Sequence, residues 1–154
     1  VLLAAALKIG AYLADAPAED AEKLYEFGVK MGLAFQLQDD WLDVYGDPKV
    51  FGKNIGGDIL CNKKTFMLIT ALEEANEEQR VALESWLSAQ EYNPDEKIAA
   101  VTALYNEIGV GKRCQEKAEA LNAEGFAVLD SINLPEERKA VLKGYACSML
   151  NRNV

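Results

Sequence analysis

Three carboxylates fall within the stretch Asp39-Asp40-Trp41-Leu42-Asp43. On a helix, Asp39 and Asp43 are one turn apart and Asp40 and Asp43 are three residues apart, so all three can crowd toward one side. Gln36 lies four residues before Asp40 on the same stripe. Close carboxylates repel, and burial raises their pKa values unless a cation relieves them. A hard divalent ion such as Mg²⁺ provides that relief: it takes oxygen ligands, keeps several waters, and is usually held by one or two carboxylates together with substrate phosphates. A solvated acidic patch is the plainer alternative in so acidic a chain. Three features weigh against it. The acids interrupt the most apolar helix of the sequence, a neighbouring loop supplies Lys53, and the next helix opens with Lys63-Lys64-Thr65. Carboxylates for a metal, with lysines ten and twenty residues beyond Asp43, are what a diphosphate–metal complex requires.

The elements that must hold these residues read as helices throughout. Prolines punctuate the chain at 17, 48, 94 and 135, and three of them stand just before acidic residues. Proline is tolerated in a first turn, and early carboxylates suit the positive end of a helix dipole. The stretches between are long and rich in Ala, Leu, Glu and Lys, without alternating runs of β-branched residues, so the expected class is all-α. Helices are predicted over roughly 1–14, 19–46, 63–75, 77–91, 95–125 and 136–151. The second is apolar over much of its circumference, as a helix buried inside a bundle should be. Gly28 and Gly32 lie four apart on one face of it. Each costs about 1 kcal/mol in a helix interior, which a close approach by another helix would offset. From Gly46 to Asp58 the chain has four glycines, a proline and two lysines and reads as a mobile loop. The acidic stretch from Glu73 to Glu96 reads as a solvated face.

Composition narrows the chemistry. The chain has 154 residues, a formal charge of −9 and no histidine. A sequence pI near 4.6 argues against nucleic acid or an anionic membrane as the main partner. Without histidine there is no Ser-His-Asp triad, no Cys-His dyad and no His-ligated zinc. Cys61, Cys114 and Cys147 are widely spaced and odd in number, which favours a reduced, cytoplasmic setting over a disulfide framework. The apolar run from Val1 to Ala6 lacks a basic leader, and Lys8 interrupts it well short of a membrane span. The chain is expected to begin inside a helix, with further sequence before it.

The ordered motifs Phe35-Gln36-Leu37-Gln38-Asp39-Asp40-Trp41-Leu42-Asp43, Gly52-Lys53-Asn54-Ile55-Gly56-Gly57-Asp58-Ile59 and Asn62-Lys63-Lys64-Thr65 resemble the second aspartate-rich region of the trans-isoprenyl diphosphate synthases, the polyprenyl synthetase family. The opening Val1–Ala14 also resembles the helix that follows the family's Lys-Thr pair. The resemblance implies part of the isoprenoid synthase helical bundle. It implies Mg²⁺ as cofactor, isopentenyl diphosphate and an allylic diphosphate as substrates, and a homodimer. Asp39 matches the aspartate that binds magnesium directly, and Asp40 and Asp43 match positions that support the metal, partly through water. Lys53 matches the loop lysine that grips the allylic diphosphate, and Lys63 a second lysine near it. Phe35 and Gln36 match positions lining the two substrates. Asp58 belongs to the pattern as well, but a helix cap or a salt bridge to a lysine explains it equally.

Family members also carry a first aspartate-rich motif followed by paired arginines. This sequence has neither, so residues 1–154 are expected to be the C-terminal portion of a polyprenyl synthetase domain, inactive alone. Two other readings stay open: a non-catalytic interaction subunit of a prenyl synthase, which would not need the acids and Lys53, and a class I terpene cyclase, whose second Asn/Ser/Glu metal motif is absent.

Overall fold

The structure, a computed structural model, describes residues 1–47 and 55–150. Among the described residues every regular element is a helix, in the order α1 (Leu2–Leu13), α2 (Ala18–Tyr45), α3 (Gly57–Leu60), α4 (Phe66–Glu74), α5 (Glu77–Ser88), α6 (Pro94–Ile108), α7 (Val110–Asp130) and α8 (Glu136–Leu150). The expected all-α class is what the chain adopts. The helix starts follow local chemistry. Glu19 and Asp20 occupy the first turn of α2. Thr65 caps α4 by accepting from the Leu68 N–H. Asn76 and Gln79 form a capping box on α5, and Asn93 caps α6 ahead of Pro94.

The described residues form two compact units, residues 1–36 with 117–150, and the described part of residues 37–116. The first unit buries Ala21, Leu24, Phe27 and Met31 of α2 with Ala11 of α1, Leu129 of α7 and Ala146 of α8. Burying a side chain such as Phe27 or Met31 contributes about 1.5–3 kcal/mol. At Gly28 α1 lies close against α2: a Cβ there would lie 2.6 Å from the Ala4 Cα. Gly32 has nothing within 4 Å of such a Cβ. The close approach predicted for both glycines therefore holds at Gly28 alone.

The second unit contains the last turns of α2, then α3 to α6 and the start of α7. Its buried side chains include Leu42, Ile59, Met67, Leu83, Val101 and Cys114. The Tyr45 hydroxyl donates to Asn106 Oδ1 at 2.9 Å, tying the end of α2 to α6. Two sequence expectations are corrected in this unit. The predicted helix over 95–125 is broken at Gly109, which ends α6 in a left-handed conformation with φ +83°. Part of the expected loop before Asp58 is the one-turn helix α3, preceded by Gly56 at φ +85°. A side chain at Gly56 would also meet Ile98 at 2.6 Å, so glycine is required there on two counts. No described helix is long and apolar enough to cross a membrane.

Candidate functional site

The last turns of α2 carry the three aspartates. Asp40 is buried, and Asp39 and Asp43 are half-buried. Asp43 acts as a clip. Its main-chain carbonyl accepts from the Gly56 N–H at 2.6 Å, and its carboxylate Oδ2 accepts from the Asp58 N–H at 2.9 Å. One residue thus ties the start of α3 back onto α2 and serves one of that helix's free N–H groups.

Lys63 follows α3 across a turn at Asn62, whose φ is +51°. The Lys63 N–H donates to the Asp58 carbonyl, and its ammonium reaches back over the cluster. Nζ donates to Asp58 Oδ2 at 2.7 Å and to Asp40 Oδ1 at 3.1 Å. The Lys63 side chain is 46% exposed while that of Asp40 is 6% exposed. The hydrogen bond to Asp58, then that to Asp40, hold the Lys63 ammonium above its ordinary pKa, against the opposing pull of burial. Asp43 is shifted upward, chiefly by burial. The backbone hydrogen bond from Asp58 and the charge of Lys63 oppose that shift, while the carboxylates of Asp58 and Asp39 add to it.

The structure therefore brings Asp39, Asp40, Asp43 and Lys63 into one neighbourhood, with Asp58 added. The salt-bridge explanation of Asp58 is the one the geometry shows. Phe35 and Gln36 are on α2 within the first unit, Phe35 half-buried and Gln36 exposed. Lys53 lies outside the described residues. Among the described residues no three acidic or sulfur ligands converge as a ready-made metal cage, because Asp40 turns to Lys63 and Asp43 turns to α3. The donor set still suits a hard cation. All its donors are carboxylate oxygens, whose negative charge burial makes costly.

Sequence reasoning missed two things here. One is the structural duty of Asp43. The other is Asn62, read only as part of a motif. Asn is among the few residues with a Cβ that tolerate the left-handed region, and that tolerance is the signal for a turn here.

Among the described residues the chain is all-helical, with an aspartate-rich segment at the end of its longest helix held by a lysine from the turn after α3. A profile of the polyprenyl synthetase family matches residues 1–107, and the chain belongs to that family. A short chain isoprenyl diphosphate synthase of Methanothermobacter thermautotrophicus is 36% identical over 143 residues, covering 92% of this chain and 40% of that protein. A (2E,6E)-farnesyl diphosphate synthase of Mycobacterium tuberculosis is 32% identical over 155 residues, covering 98% and 43%. A crystal structure of a geranylgeranyl pyrophosphate synthase superposes with a TM-score of 0.88 at 31% identity, over 100% of this chain and 48% of that one. The geranylgeranyl pyrophosphate synthase of Corynebacterium glutamicum, crystallised with isoprenyl diphosphate and magnesium, gives a TM-score of 0.81 at 31% identity over 94% and 41%. The chain spans less than half the length of each of these proteins.

Proposed function

We propose that the protein carrying this chain joins isopentenyl diphosphate to an allylic diphosphate in a Mg²⁺-dependent trans-prenyl transfer, as a cytoplasmic homodimer. The observation that carries the reading is the clamp at Lys63, 3.1 Å from Asp40 and 2.7 Å from Asp58. It sets one ammonium against the acids of the DDxxD segment, a point charge for phosphate beside hard oxygen donors for a cation. When bound, Mg²⁺ would neutralise the charge that grows on a departing diphosphate.

Asp39 is the direct anchor in this reading, with Asp40 and Asp43 in support. Lys63 is exposed enough to turn from one of its carboxylates toward a diphosphate oxygen while keeping the other. Lys53 takes the neighbouring position on the strength of its motif, and Phe35 and Gln36 line the substrates on the same basis. In the reaction the allylic C–O bond breaks and the diphosphate leaves with the electron pair. The isopentenyl double bond attacks the carbon left electron-poor, and a proton is lost to the released diphosphate. No side-chain nucleophile or histidine base is required, in keeping with a chain that has no histidine.

Residues 1–154 alone are inactive in this reading. Asp39, Asp40 and Asp43 outnumber Lys53 and Lys63, and a diphosphate brings further negative charge, so it meets a site short of positive charge until groups from elsewhere in the protein complete it. The test is turnover of isopentenyl and dimethylallyl diphosphates with Mg²⁺ by the full-length protein. A C10 or longer product is expected, and Asp39→Ala should slow it ~10²–10³-fold, the usual cost of one strong electrostatic group. Near-normal turnover in Asp39→Ala would overturn the assignment.

A further inference from the structure

Lys97, at the end of the first turn of α6, has no exposed surface. Lysine is rarely buried so completely unless paired, yet among the described residues Lys97 makes no ion pair. The first turn of a helix also disfavours a cation, because the dipole is positive there. Two contacts hold the ammonium. Nζ donates to Asn62 Oδ1 at 2.8 Å and stands 4.2 Å from the centre of the Tyr92 ring, a cation–π distance.

Both contacts lead to the turn that carries Lys63. The Asn62 amide is held from two sides: its oxygen accepts from Lys97, and its Nδ2 donates to the Leu87 carbonyl at 3.0 Å. Asn62 is also a residue with φ +51°, a left-handed conformation that a side chain with a Cβ adopts only with support. The Tyr92 hydroxyl donates to the Leu60 carbonyl at 3.2 Å, fixing the end of α3 from the same side. Lys97, Asn62 and Tyr92 thus brace the one turn whose direction decides whether Lys63 meets Asp40 and Asp58.

We propose that Lys97 is a positioning residue for diphosphate binding: through Asn62 it holds the post-α3 turn in the conformation that presents Lys63 to the acidic cluster. The proposal rests on the reading of Lys63 as a diphosphate ligand. It gives a reason for keeping a lysine in a buried place that would otherwise favour an apolar side chain.

The test is the affinity of the full-length protein for inorganic diphosphate with Mg²⁺, by calorimetry. If the brace keeps the turn in place and its loss leaves about 10–20% of molecules competent, Lys97→Met weakens binding about 5- to 10-fold. Lys97→Gln retains an N–H donor toward Asn62 and stays within about 2-fold on the same arithmetic. In a Lys63→Met background, Lys97→Met has no further effect, a result that a merely structural role would not produce. Unchanged affinity in Lys97→Met, equal losses in the Met and Gln variants, or a full loss in the Lys63→Met background overturns the proposal. Should Lys97→Met not fold, Asn62→Gly removes the acceptor while suiting the left-handed turn, and must show the same loss for the proposal to stand. Absence of diphosphate binding by the unaltered protein, or a Lys63→Met variant that binds as well as the original, overturns the reading of Lys63 itself and the proposal with it.

Discussion

Two glycines one helical turn apart should respond to alanine with opposite signs. At Gly28 a new Cβ would stand 2.6 Å from the Ala4 Cα and 3.0 Å from both the Ala4 nitrogen and Leu7 Cδ1. Unstrained carbon contacts sit at about 3.5–4.0 Å, so α1 must retreat by roughly 1 Å or buckle. The obstacle is mainly backbone, and Ala4 has no exposed surface, so no rotamer change can absorb it. Overpacking of this kind costs about 1–3 kcal/mol, against about 1 kcal/mol gained from the better helix propensity of alanine. Gly28→Ala should therefore lose up to about 2 kcal/mol net, toward the upper end because the clash is with main chain. At Gly32 no atom lies within 4 Å of the new Cβ, and only the propensity gain of up to about 1 kcal/mol remains. The assay is urea unfolding followed by circular dichroism, with both variants and the parent measured together. The propensity gain is common to both variants, so the expected separation is the overpacking cost, about 1–3 kcal/mol at an unchanged slope. Gly28→Ala as stable as Gly32→Ala would refute the packing argument, since it would mean that α1 does not press on α2 there.

Other expectations follow from the second unit and from the charge balance. Gly56→Ala should destabilise by about 2–4 kcal/mol, combining a left-handed residue with a Cβ and crowding against Ile98; an unchanged melting curve would contradict it. Burial, and then the nearby charge of Asp40, push the Cys114 thiol up to about 12. In the native protein at pH 8, iodoacetamide should therefore label the exposed Cys61 and Cys147 and spare Cys114, and mass spectrometry of peptides would show otherwise if Cys114 were accessible. The sign of the linkage is also fixed. Unfolded thiol ionises near its ordinary 9.0 and the folded one near 12, so the contribution of Cys114 to stability is full below pH 9 and is lost as pH rises through that window. Residues 1–154 alone should yield no prenyl product with Mg²⁺ and both diphosphates; steady formation of a C10 product would overturn the charge argument.

The parts of this structure legible in the sequence are those set by local chemistry. Pro94 after Asn93 and Pro135 before Glu136 each marked a helix start, because caps and dipoles act within a few residues, whereas the helix read from Lys63 begins only at Phe66, after its Thr65 cap. The aspartate spacing put the acids on one end of α2, and the Asn-Lys-Lys-Thr motif put Lys63 near them. Gly109 was legible in principle as a left-handed terminator, but it sits between Ile108 and Val110 in a sequence whose apolar periodicity runs on. α3 was hidden for a different reason. Its four residues, opening with Gly57, have no pattern of their own, and what stabilises the turn is the carboxylate of Asp43, fifteen residues before Asp58. Gly28 and Gly32 were indistinguishable because spacing says which face a residue is on, not what lies opposite.

The clip formed by Asp43 bears on which acids the motif can accommodate. Its carboxylate and its carbonyl both hold the backbone from Gly56 to Asp58, at 2.9 Å and 2.6 Å. The side chain therefore works as a spacer of fixed length, measured from its own main chain. A glutamate would add one carbon–carbon bond, about 1.5 Å, and could not satisfy both contacts without pushing α3 outward or folding back on itself. An asparagine would keep the length and lose the charge. Size and charge at this position are thus separable: swapping in Asn asks what the negative charge does for the cation, and swapping in Glu asks what the reach does for the turn. Acids of equal charge are not equivalent here, and the third aspartate of the motif sets a length as well as carrying a charge.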